Sequence, residues 1–176
     1  MTHAPGVNVL ETERLVLLRF TLDDAQFVTE LVDAPGWLRF IGDRDVHTPE
    51  QACTFIEKRL LGPYARLGFG CYRVELKRDG SPIGLCGLVR RYGLDDVDIG
   101  FGLPERCAGQ VYAYEAAVGA VRYAREELAR LCAITRPDNQ RSIALLEKLG
   151  MRFERALRLP GEQTDLSLYG LGLGAP

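Results

Sequence analysis

Residues 98–117, DIGFGLPERCAGQVYAYEAA, constrain the fold more tightly than any other stretch of the chain. Val97, Ile99, Phe101 and Leu103 alternate with polar or small residues, the period of a strand with one buried face. Pro104 breaks the run, and a short turn carrying Gly109 follows. From Tyr112 onward, Ala117, Val121, Ala124 and Leu128 recur at helical spacing. A strand that turns through glycine into a helix aims the unsatisfied N–H groups of the first helical turn at whatever occupies the turn. The helix dipole favours negative charge there, so the unit predicts a phosphate or pyrophosphate site.

The flanking sequence supplies strands and helices around this unit. Residues 1–8 read as a loose tail, and Arg14–Arg19 as a first strand. Thr21 caps a helix with Asp23 and Asp24 in its first turn, stopped by Pro35-Gly36. An apolar and aromatic run, Trp37–Ile41, precedes a polar loop. Thr48-Pro49-Glu50-Gln51 has the form of a capping box with proline at the first helical position, opening a helix that should end at Gly62-Pro63. Phe69–Lys77 and Ile83–Val89 read as strands about an Asp79-Gly80 turn, and Arg90-Arg91 as an exposed charge pair at a strand end. The helix after the turn should run to Arg130. Leu131–Thr135 reads as a buried strand, and Asp138 or Asn139 as the cap of a helix ending at Gly150. Met151–Leu157 and Leu166–Leu173 read as closing strands. At 176 residues this is one α/β domain, with a mixed sheet and helices on both faces.

Two signatures in this order resemble the GNAT family of N-acetyltransferases. Arg106-x-x-Gly109-x-Val111 is similar to the family's pyrophosphate loop, Arg/Gln-x-x-Gly-x-Gly/Ala, with DIGFGL resembling its fourth strand. Asn139-Gln140-Arg141-Ser142, followed by Leu145-Leu146-Glu147-Lys148-Leu149-Gly150-Met151, is similar to Asn-x-x-Ser…Leu-x-Lys-x-Gly-Phe. Together they resemble the RimJ/RimL-type subgroup, over roughly Glu11 to Leu173. The resemblance implies a mostly antiparallel acyl-CoA N-acyltransferase fold, acetyl-coenzyme A as co-substrate, no metal, and direct acetyl transfer to a primary amine. A peptide N-terminus and a small amine both remain open as acceptor.

The same resemblance assigns candidate residues. The backbone of Phe101, Gly102 and Leu103 would meet the pantetheine arm, which lies between two splayed strands as an added strand. Gly100 and Gly102 suggest a bulge there. The amides of Gly109, Gln110, Val111, Tyr112 and Ala113 would hold the pyrophosphate, with Arg106 either adding charge or simply solvated. Asn139 would contact the pantetheine and Ser142 would donate a proton to the leaving sulfur. A helix cap with its partner explains the same two residues without a ligand. Asp98 is the candidate base, or else a solvated strand end. Trp37, Phe40 and Asp43 lie where the family builds its substrate mouth. Valine in place of the loop's last glycine predicts a distorted phosphate site with weakened binding, since valine takes positive φ poorly. That departure opens a second reading, a GNAT-like interaction module that has lost catalysis.

Composition narrows the classes. A net charge of −2 leaves no broad nucleic-acid footprint. Five scattered cysteines without C-x-x-C spacing argue against a disulfide framework or a zinc site, and for a reducing compartment. With no signal-peptide pattern and no long apolar run, a cytoplasmic enzyme is expected, monomeric or dimeric.

Overall fold

Strand periodicity sorts the sheet's side chains onto two faces, and two sets of helices cover them. A computed structural model describes residues 6–107 and 111–174. One sheet holds β1 (Asn8–Glu11), β2 (Leu15–Leu18), β3 (Cys71–Leu76), β4 (Pro82–Val89), β5 (Val97–Gly102), β6 (Arg130–Thr135), β7 (Arg152–Leu157) and β8 (Leu166–Gly172). Their spatial order is β1-β2-β3-β4-β5-β6-β8-β7. Only β5 and β6 are parallel; the other neighbours are antiparallel. The helices are α1 (Ala25–Val32), α2 (Pro35–Phe40), α3 (Pro49–Phe55), α4 (Gly62–Leu67), α5 (Tyr112–Ala124) and α6 (Gln140–Lys148).

On one face Leu15, Leu17, Tyr72, Val74, Val97 and Ile99 pack against Ala116, Ala117, Ala120 and Ala124 of α5 and Leu146 of α6. The small alanine side chains let α5 lie close to the strands. On the other face Leu85 packs with Val28 and Leu31 of α1, Trp37 of α2, Ala52 of α3, and Ile56 and Leu60 beyond it. Alternation along β5 therefore sends Val97, Ile99 and Phe101 toward α5, and Asp98, Gly100 and Gly102 toward the α1–α4 side. A buried ion pair between Arg73 of β3 and Asp24, just before α1, ties that second layer to the sheet.

Several boundaries differ from expectation for identifiable reasons. Thr48 does form the capping box with Gln51, but the helix does not stop at Gly62-Pro63. A π turn, Ile56–Leu61, carries it on into α4, which holds Pro63 in its first residues. Gly68, at φ 77°, ends it instead. Pro35 likewise opens α2 as well as following α1. Residue 8 belongs to β1, an edge strand of four residues with no fully buried position and hence no legible alternation. The helix expected to reach Arg130 ends at Ala124 and tightens into turns over Arg125–Glu127, while Leu128 still packs on the core.

Candidate active site

β5 and β6 pair at only two positions, Val97 with Leu131 and Asp98 with Cys132. β5 continues to Gly102 alongside β4, and β6 to Thr135 alongside β8. Beyond Asp98 the two parallel strands stop pairing, and the stretches from Ile99 and from Ala133 onward have no ladder partner in each other. The register of β5 on β4 is unbroken from Asp98 to Gly102, so the expected bulge is absent. Gly102 serves packing: a Cβ there would come within 2.6 Å of Trp37 Cζ3. At Gly100 a Cβ would meet only Val89 and Cys71, at 3.5 and 3.7 Å.

Asp98 stands at the point of divergence and is 1% exposed. Arg91 grips Oδ2 from Nε and from Nη2, each at 2.9 Å, while Oδ1 is buried without a hydrogen-bond partner. Burial pushes the carboxyl up to about 6, against the pull of the Arg91 guanidinium and the electrostatic effect of the nearby Ile134 N–H. A carboxylate that titrates near neutrality and keeps one oxygen free has the properties of a general base. Arg91, which reads as an exposed strand end, is the functional neighbour that sequence reasoning misses. Its short spacing from Asp98 across a turn is the only signal for it. Cys71 lies on the same side, and burial together with Asp98 pushes its thiol up to about 12, which keeps it protonated and unreactive.

The turn between β5 and α5 holds the phosphate candidates. Arg106 is exposed in a 3-10 turn, Glu105–Cys107. Gly109 and Gln110 lie outside the described residues. Val111 is the N-cap residue of α5 and adopts the left-handed conformation, φ 56° and ψ 15°, with its side chain half exposed. Tyr112 is buried beneath the Arg14 guanidinium, and Ala113 is half-buried in the first turn. A depression of about 440 Å³ beside Val111 is lined by Arg14, Tyr114, Arg122 and Lys148 among others. Lys148 crosses from α6 to lie over the Tyr114 ring, 4.1 Å from its centroid. At α6, Asn139 is the N-cap, its Oδ1 accepting from the Ser142 N–H at 3.2 Å. The half-buried Ser142 hydroxyl makes no hydrogen bond among the described residues.

The three candidates for the substrate mouth are not alike. Trp37 is 8% exposed, packs on Gly102, and keeps its Nε1 buried without a partner. Phe40 is half-buried under the Arg39 guanidinium. Asp43 is exposed, lies 3.7 Å from His47 and accepts from the Asp45 N–H.

Comparison with known proteins agrees with this geometry. The acetyltransferase (GNAT) domain family matches residues 14–152. The chain belongs to the GNAT acetyltransferase family. As a GNAT protein it is an acetyl-coenzyme A-dependent enzyme. It is 29% identical over 147 residues to the uncharacterized N-acetyltransferase YnaD of Bacillus subtilis, covering 82% of this chain and 83% of that one. A GNAT acetyltransferase from Bacillus anthracis superposes with a TM-score of 0.76 at 25% identity, over 93% of this chain and 98% of that one. RimL, a ribosomal L7/L12 alpha-N-protein acetyltransferase solved with coenzyme A, has the same fold, with a TM-score of 0.77 at 20% identity over 96% and 99% of the two chains. Among the described residues no helix is long and apolar enough to cross a membrane.

Proposed function

We propose that this GNAT protein moves the acetyl group of acetyl-coenzyme A to a primary amine, of a peptide N-terminus or a small molecule, by direct transfer. The observation that carries the reading is Asp98, a buried carboxylate with one oxygen lacking a hydrogen-bond partner at the point where β5 and β6 stop pairing. The surroundings suit the co-substrate. The unpaired edges beyond Asp98 offer N–H and C=O groups to an extended amide chain such as pantetheine. The N-terminus of α5 offers amides to the pyrophosphate, with Arg106 and Lys148 as the cations closest in character to a phosphate contact.

The bound thioester supplies an activated acyl group, and the chain supplies the proton handling and the fit. An amine near its ordinary pKa is protonated and cannot attack, so a base must take its proton. Asp98 Oδ1 takes it, directly or through one water, while Arg91 holds Oδ2 in place. Ser142, whose hydroxyl is uncommitted at the α6 N-terminus, donates to the departing sulfur. Asn139 fixes the first turn of α6 and thereby the position of Ser142. Trp37 walls the acceptor side. Val111 favours the enzyme over the inert module, because a left-handed backbone at that position is what the family's glycine would give.

Calorimetry with acetyl-coenzyme A, followed by thiol release with a panel of primary amines, tests the reading. Binding in the micromolar range and amine-dependent thiol release are expected. Folded protein that fails to bind acetyl-coenzyme A at millimolar concentration would overturn it.

A further inference from the structure

The first turn of α5 carries a negative charge where the proposed ligand would bring more. Glu115 is the acid of that turn, and its N–H donates to the Val111 carbonyl at 3.0 Å, which places it one helical turn beyond the N-cap. A carboxylate there suits the helix dipole, but it competes with a phosphate for the same positive end. The chain answers it from 101 positions upstream. Glu115 Oε1 accepts from the Thr12 hydroxyl at 2.6 Å and from the Arg14 N–H at 2.8 Å. Oε2 lies 2.7 Å from both Nε and Nη2 of Arg14, whose guanidinium also covers the Tyr112 ring, 4.7 Å from its centroid. Against partial burial, the bonds from Thr12 and Arg14 hold the Glu115 carboxyl below its usual range, so it is ionised at neutral pH. The turn that supplies Thr12 and Arg14 joins β1 to β2, and this hairpin is seated on α5 at two further heights. A Cβ at Gly119 would come within 2.9 Å of Leu10 Cδ1 and 3.0 Å of Thr12 Cγ2, and Arg122 Nη2 donates to the Glu11 carbonyl at 2.9 Å. The missing side chain at Gly119 sets how closely the hairpin lies, and the Arg122 contact fixes its height along the helix.

Resting on the proposed binding of acetyl-coenzyme A, we propose that Arg14 is a positioning residue for its pyrophosphate, acting through Glu115. Arg14 cancels the Glu115 charge and pins the first turn of α5, so that the amides of residues 111–113 meet the phosphates without a competing anion one turn away. With the guanidinium removed, Glu115 keeps its Thr12 bond but faces the ligand as an uncompensated charge. With both charges removed, the repulsion goes too. Two simpler roles behave differently. An Arg14 that touched phosphate itself would be missed whether or not Glu115 were charged. An Arg14 that only packed on Tyr112 would act on stability rather than on affinity, and salt would not change its effect.

The test is a double-mutant cycle on coenzyme A affinity, measured by calorimetry at low and at high salt. Arg14→Gln should weaken coenzyme A binding about tenfold at low salt and clearly less at high salt, because the repulsion is screened. In turnover, the KM for acetyl-coenzyme A should rise while kcat holds. Arg14→Lys should keep most of the affinity. Glu115→Gln alone should bind coenzyme A at least as tightly as the natural protein does. Arg14→Gln with Glu115→Gln should return the affinity to within about twofold of the natural value, even where the double variant melts at a lower temperature. Undiminished affinity in Arg14→Gln overturns the inference, and so does a loss that Glu115→Gln fails to rescue or that salt does not diminish. Each of those results leaves the proposed function standing, whereas natural protein that binds no coenzyme A at millimolar concentration removes both.

Discussion

Replacing Asp98 by Asn separates the cost of the buried carboxylate from its use. The folded protein keeps the Asp98 proton up to about pH 6, whereas the unfolded chain releases it near 3.8. Between those values the folded state binds more protons than the unfolded state, so stability falls as pH rises through the window. A shift of about two pH units, at about 1.4 kcal/mol each, makes the loss ~3 kcal/mol, complete above about pH 7. Asparagine has nearly the same shape and never ionises. At pH 4 the two proteins carry almost the same charge at this position, and at pH 7.5 only the natural one pays for burying it. Urea unfolding of both proteins across pH 4–8 should show their stability difference moving by ~3 kcal/mol in favour of Asp98→Asn. In melting temperature that is about 6–12 °C for a domain of this size. Turnover should move the opposite way, falling by about a hundredfold or more as the base is lost. A stability difference that stays flat with pH would refute the reasoning, because Asp98 would then titrate in the folded protein as it does in the unfolded one.

Four further outcomes are expected. The kcat/KM of the natural protein should show an acidic limb near pH 6, from Asp98, that Asp98→Asn does not show; a limb displaced by more than about a unit would point to another base. Ser142→Ala should lower kcat about a hundredfold and leave the coenzyme A dissociation constant, measured by calorimetry, nearly unchanged. Val111→Gly should raise the melting temperature slightly without tightening cofactor binding. The left-handed strain of ~1–2 kcal/mol is present before any ligand arrives, and glycine's unfolded-state entropy offsets part of the relief. Gly102→Ala should destabilise by ~1–3 kcal/mol in chemical denaturation, since the added carbon meets the rigid Trp37 ring rather than a flexible chain end.

Local signals proved legible where the determining residues are close in sequence. The Thr48–Gln51 capping box, the Asp79-Gly80 turn, the Asn139 cap and the strand–turn–helix unit all express contacts within a few residues. Valine at the end of the candidate phosphate turn is expected to resist positive φ, yet Val111 is one of two non-glycine residues at positive φ among those described. Nothing local announced that Val111 itself would take the left-handed conformation with its side chain half exposed. Features set by distant partners were hidden. Arg73 and Asp24 are 49 positions apart and look like ordinary surface charges. Arg91 looks like the exposed end of a strand, and only the fold shows it folded back onto Asp98.

The two-position seam between β5 and β6 also bears on how the molecule assembles and comes apart. It divides the sheet's backbone ladder into five strands, β1 to β5, and three, β6 to β8. The smaller piece is contiguous in the chain with α6, so its strands close short loops and form early at little entropic cost. What joins the pieces is mainly side chains: Leu131, Ala133 and Tyr169 from one, Val97 and Ile99 from the other, under α5. Each piece is therefore a cooperative unit with an oily bearing between them. Amide hydrogen exchange should reveal two protection levels, with β6–β8 exchanging as one block and β3–β5 as another. An extended guest lying in the seam acts as a rivet through both plates. It should pull the two exchange rates together, slowing most of all the amides of residues 99–102 and 133–135.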